Sequence, residues 1–181
     1  MRKKTLVLGG DLRQLNMAQA LGKEGFLIDL SGFDTQYLES IALPYRNMED
    51  VCWREYEMIV LPLPVSRDEK VLNTPLFHGC IPLEQVFDKL SSDQVVVGGL
   101  FSRQLKQRFS SVGVKAWDYF DREELAIRNA VPTAEGAIAI AMDETPFTIH
   151  GSNCLVAGNG RIGRVIAKLL YGIGAQVTVC A

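Results

Sequence analysis

The sequence predicts a doubly wound α/β protein: a flavodoxin-like domain with a five-stranded parallel sheet, then a linker helix and the first βαβ unit of a Rossmann domain. Three observations carry that prediction. Short apolar runs recur (TLVLGGD, FLIDLSG, YEMIVLPLP, QVVVGG and VKAWDYFD), each closed by glycine, proline or an acidic turn. Helix-like patterns separate these runs, and strands that alternate with helices build a parallel sheet covered on both faces. Finally, the glycine-rich turn GNGRIG follows another apolar run, CLVA, and opens a new helical pattern.

Along the chain, Leu12, Leu15, Met17, Ala18, Ala20 and Leu21 form an apolar stripe at helical spacing, closed by GKEG, so residues Thr5 to Leu30 read as a βαβ unit. A strand through Met58 to Leu61 leads into the long loop PLPVSRDEKVLNTPLF, and a helix is expected near Leu83 to Leu90. A loop of that length has a function or is mobile. The fourth strand, Val95 to Val97, ends in Gly98 and Gly99. A helix containing Leu105 and Phe109 follows, and the fifth strand runs Val114 to Trp117. This completes a domain of about 120 residues, an ordinary size. Beyond it, Pro132 is followed by Thr133 as the expected N-cap and by Glu135 in the first turn, where an acid suits the helix dipole. The alanine- and isoleucine-rich run then continues to Pro146. The expected organisation is residues 1–130 as the first domain, 131–150 as the linker helix and 151–181 as the start of the Rossmann domain.

The composition narrows the function classes. Of 181 residues, 48% are hydrophobic and 22% charged, which suits a soluble chain with a buried core. The net charge of -2, without long runs of one sign, argues against nucleic acid or an anionic membrane as partner and favours small molecules or protein surfaces. Cys52, Cys80, Cys154 and Cys180 form no CxxC pair and read as reduced thiols. The apolar run near the N-terminus is too short for a signal peptide or a bilayer span, so a cytoplasmic location is expected. His78 and His150 are too few and too isolated for a metal site; His150, beside the linker, is either a proton carrier or a structural residue.

The strongest chemical signal is Gly158, Gly160 and Gly163 in GNGRIG, directly after a strand and at the head of the helix bearing Ile162, Val165, Ile166, Leu169 and Leu170. In that context the first glycine permits a tight turn. The second lets a pyrophosphate approach the backbone, and the third lets the helix pack on the strand. Gly158, Asn159, Gly160, Arg161, Ile162 and Gly163 are therefore the cofactor-binding candidates, against the alternative of a glycine turn with no ligand. The residue that distinguishes NAD from NADP belongs roughly 20 residues past the motif, so NAD(P) preference stays open. The first domain has a weaker turn at Gly9, Gly10 and Asp11. In an open parallel sheet ligands bind at the carboxyl edge of the strands, which would gather Gly9 to Arg13, Pro62 to Arg67, Gly98 to Leu100 and the turn from Tyr119 to Glu124. Substrate-side candidates are Gly10, Asp11, Arg13, Pro64, Ser66, Arg67 and Gly99, with Thr133 and Glu135 from the linker. Arg13 and the Ser66–Arg67 loop suit carboxylates, because guanidinium matches their planar geometry; solvated surface arginines are the alternative. Glu123, Glu124 and Asn129 flank the linker, the two acids reading as helix-surface charges. No catalytic acid or base is assigned.

Taken together, GGDLRQ, LPLPVSRD, NTPL, REELAIRNAVPTAEGAIAIAMDETPFTIHGSN and GNGRIG resemble the A subunits of dipicolinate synthase from spore-forming bacteria, over essentially all of the chain. The resemblance implies a substrate-side domain followed by a nicotinamide-binding domain. It also implies NAD(P)-dependent oxidation of a dihydrodipicolinate-type precursor to pyridine-2,6-dicarboxylate, partnership with a B subunit, and the mother-cell cytoplasm during sporulation. Family members extend well beyond Ala181, so the chain is expected to be an N-terminal portion of such an enzyme, inactive by itself. Two strands and one helix cannot cover both faces of a sheet. Residues 154–181 are thus expected to be disordered, to dock on the first domain or, the preferred case, to pair with the same segment of a second copy as a homodimer. Two other readings stay open: a non-catalytic nucleotide-sensing or assembly module, and a general 2-hydroxyacid dehydrogenase relative.

Overall fold

The computed structural model describes residues 4–181, and the chain divides into two compact units between Asp121 and Arg122. In the first unit, strands β1 (Lys4–Leu8), β2 (Leu27–Ser31), β3 (Met58–Val60), β4 (Val95–Gly98) and β5 (Lys115–Asp118) form one sheet. Its order is β2-β1-β3-β4-β5 and every pairing is parallel. That is the flavodoxin-like order, with its switch point between the ends of β1 and β3. The helices are α1 (Leu12–Lys23), α2 (Leu83–Lys89) and α3 (Arg103–Val112).

Side chains alternate across a strand, so a strand buried on both faces reads as a continuous apolar run. In β1, Leu6 and Leu8 enter a core with Ile59, Leu61, Val96, Phe87 and Phe109, whereas Val7 enters the opposite core with Leu15, Ala18, Ile28 and Leu30. The long loop after β3 is folded onto the sheet. Asn73 N donates to Val65 O at 2.9 Å, Leu72 N to Ile81 O at 2.8 Å, and Asp34 N to Leu76 O at 2.8 Å. Its buried Val65 and Leu72 belong to the first core.

The second unit contains α4 (Glu123–Glu144), β6 (Asn153–Ala157), α5 (Arg161–Gly172) and β7 (Gln176–Cys180). Two sequence expectations need correction here. The helix expected to be capped by Thr133 begins at Glu123, with Pro132 inside it. An interior proline removes its own N–H from the ladder and crowds the carbonyl four residues back, yet the helix continues through it, and the Thr133 hydroxyl donates back to Asn129 O at 2.7 Å within the helix. Glu123 and Glu124 supply the acidic first turn that Glu135 was expected to provide. Residues 154–181 also form regular elements, which removes disorder from the three expected arrangements. β6 and β7 pair in parallel, and Ile138 and Ala141 of α4 pack with Ile149, Val156, Ile166, Leu170 and Ala175. The apolar run of α4 is the partner that the sequence reading assigned to a linker. The other face of β6 stays open, with Leu155 69% exposed.

Candidate functional site

Each unit places a glycine turn at the carboxyl end of its first strand, and the space around the two turns differs. In the first unit Gly9 has φ +62°, a left-handed conformation that favours glycine. A Cβ built on Gly9 would lie 2.5 Å from Thr74 Cγ2, and one on Gly10 would lie 2.8 Å from Gln14 Cβ. These positions are filled by the chain's own side chains, so the glycines have a packing reason to be there.

Asp11 caps α1, accepting from Arg13 N at 2.9 Å. Arg13 then folds back on its own cap: Nε lies 3.0 Å and Nη2 2.7 Å from Asp11 Oδ2, and Nη2 also donates to Leu63 O at 3.3 Å. Burial pushes the Asp11 carboxyl upward, but the Arg13 guanidinium and backbone N–H outweigh it and hold the group below the usual carboxylate range. The arginine expected to be free for a substrate carboxylate is therefore paired, leaving Nη1 as its unused edge.

The Ser66 hydroxyl accepts from Glu69 N at 3.0 Å and donates to Asp68 Oδ1 at 3.1 Å, so it organises its own turn. Arg67 beside it is exposed and forms no ion pair among the described residues. Pro64 follows a cis peptide bond with Leu63. Gly99 donates to Pro62 O at 3.2 Å and accepts from Val65 N at 3.1 Å. A Cβ there would lie 2.5 Å from Leu63 Cδ1 and 3.0 Å from the Tyr119 ring.

Tyr119 is the residue that the sequence reading undervalued, since it appeared there only as the start of a turn after the fifth strand. It is half-buried at the end of β5, and burial pushes its phenol up to about 12. The nearby Arg13 opposes that shift, while Asp118 and Asp11 add to it. The first unit thus brings Asp11, Arg13, Leu63, Gly99 and Tyr119 together at one edge. Asp118 closes the neighbouring turn, accepting from Leu100 N at 3.1 Å and Phe101 N at 2.6 Å. Of the two histidines, His78 pairs through Nδ1 with Asp34, and the His150 ring fills the space where a Cβ on Gly174 would lie.

In the second unit the GNGRIG turn is open. Gly158 has φ +111° and its N–H donates to Cys180 O at 2.6 Å, tying the turn to the end of β7. A Cβ on Gly158 or on Gly160 would meet nothing within 4 Å, whereas one on Gly163 would lie 2.1 Å from Gly158 O. Gly163 is thus required for the close approach of helix and turn, and the other two leave their side of the turn clear. Gly160 is the N-cap of α5 and offers no side-chain cap, so the first helical turn keeps N–H groups of the kind that an anion can accept from. Asn159 O accepts from Arg164 Nε at 3.0 Å, Ile162 is exposed, and Arg161 is held by Glu123. Strand, open glycines, helix terminus and arginine fit the pyrophosphate of a dinucleotide. Thr133 and Glu135 lie in the middle of α4, the first bonded to Asn129 and the second exposed. Among the described residues, no cluster of three or more His, Cys, Asp or Glu side chains is arranged to hold a metal ion, and no helix is long and apolar enough to cross a membrane.

Residues 4–120 match the family model for the N-terminal domain of the A subunit of dipicolinate synthase. The corresponding A subunit of Bacillus subtilis (strain 168) is 32% identical over 179 residues, which is 98% of this chain and 60% of that protein. The solved dipicolinate synthase A subunit of Bacillus halodurans superposes with a TM-score of 0.85 at 32% identity, covering 99% of this chain and 62% of that one. A transhydrogenase from Sinorhizobium meliloti shares the fold alone, with a TM-score of 0.59 at 14% identity over 96% of this chain and 56% of that one. The chain spans about 60% of the length of these dipicolinate synthase relatives. By the match of its first unit and the identity over nearly its whole length, the chain belongs to the family of dipicolinate synthase A subunits.

Proposed function

We propose that this chain is part of an NAD(P)-dependent oxidoreductase that converts a dihydrodipicolinate-type precursor to pyridine-2,6-dicarboxylate together with a B subunit. The observation that carries the cofactor assignment is the contrast between the two glycine turns. The first is filled by Thr74 and Gln14, whereas Gly158 and Gly160 leave clear space at the head of α5. A nicotinamide held there would supply the hydride acceptor, and a proton would leave the substrate ring as well for it to become aromatic. This chain's part is binding: Gly158 to Gly163 receive the pyrophosphate through backbone N–H groups and the helix terminus. On the substrate side, the Nη1 edge of Arg13 and the side chain of Arg67 meet carboxylates, while the neutral Tyr119 hydroxyl donates a hydrogen bond.

A second reading, a nucleotide-sensing or assembly module, is favoured by one feature of the first unit: Arg13 and Ser66 are satisfied by the chain itself. Titration with pyridine-2,6-dicarboxylate, followed by thermal shift, separates the two. Stabilisation that an Arg67→Ala variant loses supports the oxidoreductase reading. NADH binding without any response to the dicarboxylate in the full-length protein supports the module instead.

A further inference from the structure

The arginine in the open glycine turn already holds an anion. Arg161 follows the N-cap Gly160, and its guanidinium meets Glu123 in the first turn of α4: Nε donates to Oε1 at 2.9 Å and Nη2 to Oε2 at 2.5 Å. This is the two-pronged geometry with which arginine also grips phosphate. The neighbouring charges are committed elsewhere. Glu124 accepts from Arg122 Nη2 at 2.6 Å, and Arg164 Nε donates to the turn's own Asn159 O. Both members of the Arg161–Glu123 pair are more than half exposed, at 54% and 64%, and exposed pairs of this kind exchange partners at little cost.

We propose that Glu123 is a built-in competitor for the phosphate at this turn. Arg161 exchanges the Glu123 carboxylate for the dinucleotide pyrophosphate, and the exchange releases the first turn of α4. The inference rests on the reading of GNGRIG as the cofactor turn. A pyrophosphate entering beside Arg161 brings negative charge next to the Glu123 carboxylate, and the same fork cannot satisfy both anions. The helix terminus of α5 favours the incoming phosphate, since its unpaired N–H groups add a positive field and can donate to it directly, whereas the bonds to Glu123 come from the Arg161 side chain. Glu123 lies next to the division between Asp121 and Arg122, so nucleotide occupancy is communicated to the segment that joins the two units.

The test compares wild type, Glu123→Gln, Arg161→Gln and the double variant by NADH fluorescence titration at low and high salt, with melting curves to show that each is folded. Glu123→Gln should bind NADH about three- to fivefold more tightly at low salt, the scale of one exposed ion pair. The gain should vanish in the Arg161→Gln background and shrink at roughly 0.5 M salt. Amide exchange gives an independent readout. Leu125 N and Ala126 N donate to Arg122 O at 3.1 Å, and NADH should speed their exchange in wild type but not in Glu123→Gln. Unchanged or weaker NADH binding by Glu123→Gln overturns the competitor role while leaving the cofactor turn intact. Failure of wild type and all variants to bind NADH overturns the reading of the turn and the inference together.

Discussion

The second and third glycines of GNGRIG, Gly160 and Gly163, separate stability from binding when each is replaced by alanine. At Gly160 the backbone is extended, with φ −78°, and a Cβ meets nothing within 4 Å. Losing glycine at an N-cap costs a few tenths to about 1 kcal/mol, and the restricted unfolded chain returns about 0.4–1 kcal/mol. The net change in stability is therefore near zero, yet the new methyl group would stand where, on the proposed reading, a pyrophosphate approaches the backbone. At Gly163 the methyl group would sit 2.1 Å from Gly158 O, more than 1 Å inside an ordinary contact, so α5 or the turn must shift. Overpacking of that kind costs about 1–3 kcal/mol, which in a unit of this size lowers the melting temperature by roughly 10 °C. Thermal melts and NADH titrations on both variants check the pair. Gly160→Ala should melt with wild type and lose binding at least tenfold, and Gly163→Ala should melt early. If Gly160→Ala melts as early as Gly163→Ala, or binds NADH like wild type, the reading of an open cradle is wrong.

Three further outcomes follow from the first unit and from the open face of β6. The Asp11 carboxyl is held below its ordinary value when folded, so its stabilising contribution is full above the unfolded pKa near 4 and is lost as the pH falls through the lower folded value. The stability difference between wild type and Asp11→Asn should be flat above about pH 5 and shrink below about pH 4. Tyr119 stays protonated when folded until about pH 12; in ultraviolet titrations to pH 11, wild type and Tyr119→Phe should show the same number of ionising phenols. If residues 154–181 pair two copies, the weight-average mass in sedimentation should rise with concentration, and Leu155→Glu on the exposed face should abolish that rise.

Much of the fold was legible because its signals are local. The runs of β1, β2 and β3 bury both strand faces, as Leu6 and Val7 illustrate by entering opposite cores, and GNGRIG announces its turn through the strand before it and the helix after it. The start of α4 was not legible, because proline usually punctuates a helix and nothing in NAVPT shows that the Thr133 hydroxyl will bond back to Asn129 within a continuing helix. The sequence ranks the two glycine turns but does not show the space beside them. What distinguishes them is Thr74, brought from the long loop onto Gly9, and the absence of any such neighbour at Gly158 and Gly160. The pairing of Arg161 with Glu123 joins residues 38 positions apart, and the undervalued Tyr119 owes its raised pKa first to tertiary burial. Residue types are visible in a sequence, whereas the volume left beside them is set by long-range packing.

The local pairing of Asp11 with Arg13 has a consequence for substrate recognition that reverses the simplest expectation. On the proposed reading a doubly charged dicarboxylate approaching this edge would meet Arg13 and Arg67, with Asp11 and Asp118 on the same edge of the sheet offsetting them. Asp118 is spent on the N–H groups of Leu100 and Phe101, while Asp11 occupies the two-pronged edge of Arg13. Replacing Asp11 by asparagine keeps a good N-cap, removes one negative charge and frees that edge. Pyridine-2,6-dicarboxylate should therefore bind the Asp11→Asn variant more tightly than wild type, by about three- to fivefold for one exposed charge pair. The gain should fall as salt is raised, and it should be absent when Arg13 is also changed to glutamine. Calorimetric titration of the full-length protein checks it. Weaker binding by Asp11→Asn would mean that Asp11 holds Arg13 in a productive orientation through its remaining Nη1 edge, and the carboxylate site would then have to be built on the intact pair.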